Sequence, residues 1–109
     1  MLYIEGQTIR LTRGDTAYLQ IPLTTAVGTY EMAPGDTLTL SVKKNARDTE
    51  YSFQKVVTGS NTIHILPDDT SALAFGQYTY DVQLDTNDGD VFTVIPPSTF
   101  EVLKEVTCR

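Results

Sequence analysis

His64 is the only histidine in the chain and Cys108 the only cysteine, so the residues that most often run general-base, nucleophilic or zinc chemistry occur once each. A Ser/His/Asp set can be drawn from Ser52, His64 and Asp69. Such triads are recognised by geometry, and the order of these three residues supplies none. His64 faces away from Ile63 and Ile65 in an alternating segment, which reads as a surface imidazole. Zinc sites built on Cys and His are excluded by count. Cys108 has no partner for an internal disulfide; it reads as a tail thiol, with an intermolecular crosslink as the alternative. A chain without disulfides fits folding in a reducing cytosol, although a bacterial surface domain also does without them.

The acidic run Asp85-Thr86-Asn87-Asp88-Gly89-Asp90 offers oxygen ligands of the kind calcium takes. Counted from Asp85, however, the glycine falls fifth instead of sixth and the twelfth residue is Pro96 instead of Glu, so the register is not that of an EF-hand. A hairpin turn is the expected role. Arg13-Gly14-Asp15 spells the tripeptide that integrins read, but Gly14 turning the chain and Asp15 capping the turn account for it. No GxxxxGK phosphate loop occurs. No two of the many Asp and Glu residues are singled out as a facing acid/base pair for glycoside chemistry. The expectation is therefore a non-enzymatic protein with no catalytic, cofactor-binding or metal-ligating residue and no cofactor.

The elements that would position these groups follow from composition and periodicity. At 109 residues with a formal charge of −6, one domain spanning 1–109 is expected, burying about 65% of the surface its unfolded chain exposes. The acidic balance argues against nucleic acid and anionic membrane surfaces, both of which select clustered Lys and Arg. Lys43, Lys44 and Arg47 read as the solvated end of a strand. Met1 to Glu5 has no export-signal pattern, and no segment approaches the ~20 apolar residues of a membrane span.

Apolar residues alternate with period two through Thr-, Val-, Ile- and Tyr-rich segments, which predicts an all-β fold. Strands are expected at Thr8–Leu11, Thr16–Leu23, around Leu38-Leu40-Val42, at Tyr51–Val57, at Ile63–Ile65, Gln77–Asp85, Val91–Ile95 and Thr99–Leu103. Pro22 predicts an edge or bulge in the second. In the fourth, Lys55 shares a side with Phe53 and Val57, so it either snorkels at the rim or marks a bulge. Asp68 or Asp69 would cap a single helical turn after Pro67, and Asn87-Asp88-Gly89 would supply the positive φ angles of a tight hairpin. Seven to eight short strands with turn chemistry between them predict an immunoglobulin-like antiparallel β-sandwich, with a small closed barrel as the rival. Asp69, Leu73, Gly76 and Tyr78 are spaced as the crossing and corner tyrosine of such domains. Tyr78 is expected either to bond back to the main chain or to pack across strands.

The stretches Ile9–Thr16, Leu38–Lys44, Ile65–Thr70, Tyr78–Leu84 and Phe100–Thr107, in this order and spacing, resemble the small immunoglobulin-like domains of tail and baseplate proteins of phages and prophages of Gram-positive bacteria, including the N-terminal domain of the upper baseplate protein. The resemblance implies a virion structural protein assembled in the host cytoplasm, an adaptor that docks on other tail or baseplate proteins in a symmetric ring, with a homo-oligomer expected. Upper baseplate proteins continue into a helical or fibre-like receptor-binding region, and this sequence holds one domain, so a direct role in host attachment is not implied. The candidate docking elements are Thr8–Leu11, the Pro22 strand and the outward face of Tyr18 and Gln20. The alternative is a carbohydrate- or host-surface-binding module using Tyr3, Tyr18 or Tyr30; the absence of Trp weighs against it.

Overall fold

The computed structural model describes residues 2–5, 7–25 and 28–106. Strands dominate it. In chain order they are β1 (Leu2–Glu5), β2 (Thr8–Thr12), β3 (Ala17–Gln20), β4 (Thr24–Thr25), β5 (Gly28–Thr29), β6 (Thr37–Lys43), β7 (Phe53–Thr58) and β8 (Thr62–Ile65); a helical turn α1 (Pro67–Thr70) precedes β9 (Gly76–Asp85) and β10 (Val91–Leu103). A six-stranded sheet has the order β1-β2-β10-β9-β6-β7; β3 pairs with β8, and β4 with β5.

Period-two alternation places the core as expected. Leu38, Leu40 and Val42 of β6, Tyr78, Tyr80, Val82 and Leu84 of β9, and Phe100 and Val102 of β10 are buried from the large sheet. Ala17 and Leu19 of β3 and Ile63 and Ile65 of β8 are buried in the same cluster, so the small β3–β8 sheet and the large sheet share one core. Phe100 meets the rings of Phe53 and Tyr80 edge-on, with centroids 5.6 and 6.2 Å away, a favourable arrangement for rings with negative faces and positive edges.

Several expectations are corrected. The large sheet is mixed, because β10 runs parallel to β2, with Phe100 opposite Ile9 and Leu103 opposite Thr12. Thr8–Leu11 is not a sheet edge: β1 pairs with it on the far side, Leu2 opposite Leu11 and Glu5 opposite Thr8. The segments Val91–Ile95 and Thr99–Leu103 are one strand. Pro96 and Pro97 are accommodated where its register against β9 shifts, between Thr93 and Ile95 and again between Ile95 and Ser98, positions at which no ladder N–H is demanded of them. The strand expected over Thr16–Leu23 closes at Gln20. Ile21 and Leu23 stay buried, but Pro22 lies beyond the ladder. Likewise β7 begins at Phe53, leaving Tyr51 outside it. In the β9–β10 hairpin only Gly89 has a positive φ, +93°, and Asn87 and Asp88 do not; Gly89 N–H donates to the Thr86 carbonyl at 3.0 Å and closes the turn.

Candidate functional site

The residues that sequence offered for chemistry are dispersed, and most brace the fold. The His64 ring stacks on Tyr18 across the β3–β8 pair, centroids 4.3 Å apart and 13° from parallel, on the face turned away from the core. Asp69 accepts from Leu66 N–H at 2.7 Å and pairs with Lys55 at 3.0 Å. Of the two aspartates weighed as caps, Asp69 closes α1, reaching back from its third residue. Lys55 thereby resolves as a side chain extended to the rim, and β7 runs without a bulge. Ser52 N–H bonds to the Val42 carbonyl at 2.7 Å, at the start of β7. No hydrogen bond joins any two of Ser52, His64 and Asp69.

Arg13-Gly14-Asp15 is a structural turn. The Arg13 guanidinium lies 2.6 Å from Glu105, 3.3 Å from the Leu73 carbonyl and 4.2 Å from the Phe75 ring centroid. Gly14, φ +83°, donates its N–H to the buried Thr70 hydroxyl at 2.9 Å. The turn is closed by backbone, Asp15 N–H to the Thr12 carbonyl at 3.1 Å. Lys43 and Lys44, read as a solvated strand end, lie 5.0 Å over Tyr51 and 4.6 Å over Tyr78. Of the two expectations for Tyr78, the bond back to the main chain is the one observed: its hydroxyl donates to the Ala74 carbonyl at 2.8 Å, four residues upstream. Cys108 and the ring of Tyr3 lie outside the described residues.

One node was hidden in the sequence. Asp36 closes the turn signal Pro34-Gly35-Asp36, yet its carboxylate is buried and accepts from the Tyr30 hydroxyl, Ala33 N–H at 3.0 Å and Asn87 N–H at 3.0 Å. The Tyr30 bond and the two backbone donors hold its pKa below the ordinary carboxylate range, and the pKa of the Tyr30 phenol is raised in turn by that hydrogen bond. The acidic loop is thus tied to the β5–β6 connection through Asn87. Among the described residues, no group of three or more His, Cys, Asp or Glu is placed to hold a metal ion. Tyr80 is pushed up to about 12 by burial, its hydroxyl donating to the Gln7 carbonyl.

What the fold leaves open is surface. Among the described residues, β1 and β7 are the outer strands of the large sheet, and β3 and β8 are hydrogen-bonded as strands only to each other. Tyr18, Val56, Val91 and Phe92 are more than half exposed. A hollow of about 460 Å³ on the outer face of the large sheet is lined mainly by polar groups, among them Thr39, Ser41, Lys43, Gln54 and Asp81, with the Tyr51 ring beside them. A second, of about 630 Å³, gathers Leu23, Tyr30, Leu84, Phe92, Asp88 and Asp90 beside the β9–β10 hairpin. No described helix is long and apolar enough to cross a membrane. No protein family, curated protein or solved structure matches the chain.

Proposed function

We propose that this chain is an immunoglobulin-like sandwich domain acting as a non-enzymatic assembly adaptor in the tail or baseplate of a phage or prophage, docking on other virion proteins. The sandwich reading is supported by strand order: β6, β9 and β10 stand as the C, F and G strands of such domains, β3 and β8 as B and E, and α1 with Tyr78 as the locked E–F crossing. The assembly reading is carried by one observation, the strand edges left unpaired among the described residues. An open edge presents a row of N–H and C=O groups that a partner strand can complete. The virion setting comes from the sequence resemblance alone. Co-expression with phage tail and baseplate proteins from the same genome is expected to yield a stoichiometric complex; failure to retain any of them would remove the reading.

A second reading is favoured by the hollow at the β9–β10 hairpin, where the half-exposed Phe92 ring stands beside Asp88 and Asp90. A ring face with carboxylate acceptors next to it suits a sugar. Glycan-array binding lost on Phe92→Ala would favour a carbohydrate-binding module over the adaptor.

A further inference from the structure

Natural edge strands are protected by outward charges, prolines or bulges. β7, the Phe53-Gln54-Lys55-Val56-Val57-Thr58 edge of the large sheet, has none of these facing out. Gln54, Val56 and Thr58 are exposed and uncharged. Its one charge, Lys55, points to the other face and is neutralised by Asp69 at 3.0 Å.

The β6–β7 register tells which backbone groups face the open side. Thr37 is opposite Thr58 and Val42 opposite Phe53, and the same register continues to Gly59, whose N–H donates to the Asp36 carbonyl at 2.8 Å. In an antiparallel ladder, hydrogen-bonded and non-bonded pairs alternate. Residues 53, 55, 57 and 59 therefore turn their N–H and C=O groups toward β6, and Gln54, Val56 and Thr58 turn theirs to the open edge. These three positions are symmetric about Val56.

We propose that β7 is a self-pairing edge, joining a second copy of this chain antiparallel across a two-fold axis at Val56. That register sets Val56 against its own copy and Gln54 against Thr58, and it engages the edge-facing N–H and C=O of all three residues in both copies. Shifting by one residue sets edge-facing groups against groups already turned to β6. Shifting by two in one direction leaves Gln54 and Val56 as the only mutually bonded positions and stacks Lys55 on Lys55, a like-charge pair directly opposite. Shifting by two in the other direction strands Gln54. In the proposed register Lys55 faces Val57 and keeps Asp69. β7 also contains no acidic residue, so it is a place where two copies of a chain carrying −6 can meet with little local repulsion. An isologous contact of this kind closes as a dimer.

The inference deepens the assembly reading by naming one of its surfaces and one of its partners. Sedimentation velocity on the full chain, from low to high micromolar concentration, is expected to show a monomer–dimer equilibrium. Val56→Lys places two ammonium groups face to face, and Val56→Pro removes an edge-facing N–H without touching the β6 ladder. Each is expected to weaken the dimer by about tenfold or more. A gentler variant fixes the register. With Cys108→Ser as background, Val56→Cys puts two thiols on the two-fold axis, with Cα atoms about 5.5 Å apart, within disulfide reach. Thr58→Cys faces Gln54 of the other copy and is expected not to crosslink to itself. A chain that stays monomeric, a dimer indifferent to both substitutions, or equal crosslinking through positions 56 and 58 overturns the proposal. A monomer that still binds the tail proteins defeats this pairing alone, and a β7 dimer that binds none of them defeats the adaptor reading alone.

Discussion

Tyr78→Phe tests whether the crossing from β8 to β9 is held by a single hydrogen bond. The substitution keeps the ring, which is buried at the start of β9, and keeps a π-face for Lys44, whose ammonium lies 4.6 Å from the ring centroid. It removes only the hydroxyl that donates to the Ala74 carbonyl at 2.8 Å. Ala74 is itself exposed, so water can reach the released carbonyl and the larger cost of a stranded buried acceptor does not arise. What remains is the net value of one hydrogen bond, about 1 kcal/mol. For a domain of this size that corresponds to a melting temperature lowered by roughly 4–8 °C. In urea the midpoint is expected to fall by about 0.3–1 M with an unchanged slope, because neither end state changes its exposed surface. Amide exchange is expected to quicken locally over residues 71–76. A loss under about 0.3 kcal/mol, with no change in exchange there, would refute the claim that this bond locks the crossing.

Other outcomes follow from the same contacts. Asp36 has its folded pKa lowered, so the stability it contributes is full above the unfolded value of 3.8 and is lost as pH falls through the folded one; Asp36→Asn is expected to flatten that acid limb in unfolding curves. Tyr80 has its folded value raised to about 12, so its contribution is complete below 10.0 and drains away as pH climbs toward 12, a dependence that Tyr80→Phe removes in alkaline titrations followed by circular dichroism. Asp69→Ala loses both the bond to Leu66 N–H and the ion pair with Lys55, about 2 kcal/mol together by urea unfolding, against about 1 kcal/mol for Lys55→Met. Gly35→Ala, at φ +94° with the new Cβ 3.2 Å from the Asn87 Cβ, is expected to cost more than Gly59→Ala, at φ +70° in open space; both are measurable as melting shifts.

Much of the fold is legible in the residues because period two is a local signal. Leu38-Thr39-Leu40-Ser41-Val42 and Tyr78-Thr79-Tyr80-Asp81-Val82 bury the side their alternation picks out, and the bond of Tyr78 back to the main chain is legible from its distance to the crossing. Neighbour relations are a different matter. That β2 lies parallel to β10 and inside the sheet depends on contacts some ninety residues apart, which no local pattern encodes. Pro96-Pro97 ordinarily ends a strand, and only the bulge opposite β9 lets β10 pass through. Asp36 looks like any aspartate after Pro-Gly; what distinguishes it is Asn87 arriving from the far hairpin. The open edge at β7 was illegible for the same reason, since a strand becomes an edge by lacking a neighbour.

The parallel alignment of β2 with β10 also dictates how the domain bears load. Tension applied through the chain on either side first meets β1, which runs antiparallel to β2 and detaches like a zipper, one residue pair after another from Leu2. Beyond it, the pull acts on Thr8 at the start of β2 and on Leu103 at the end of β10, two ends that lie at opposite ends of the aligned pair. The bonds between Ile9–Thr12 and Phe100–Leu103 are then sheared together instead of in sequence, so a soft extension is followed by a stiff clamp.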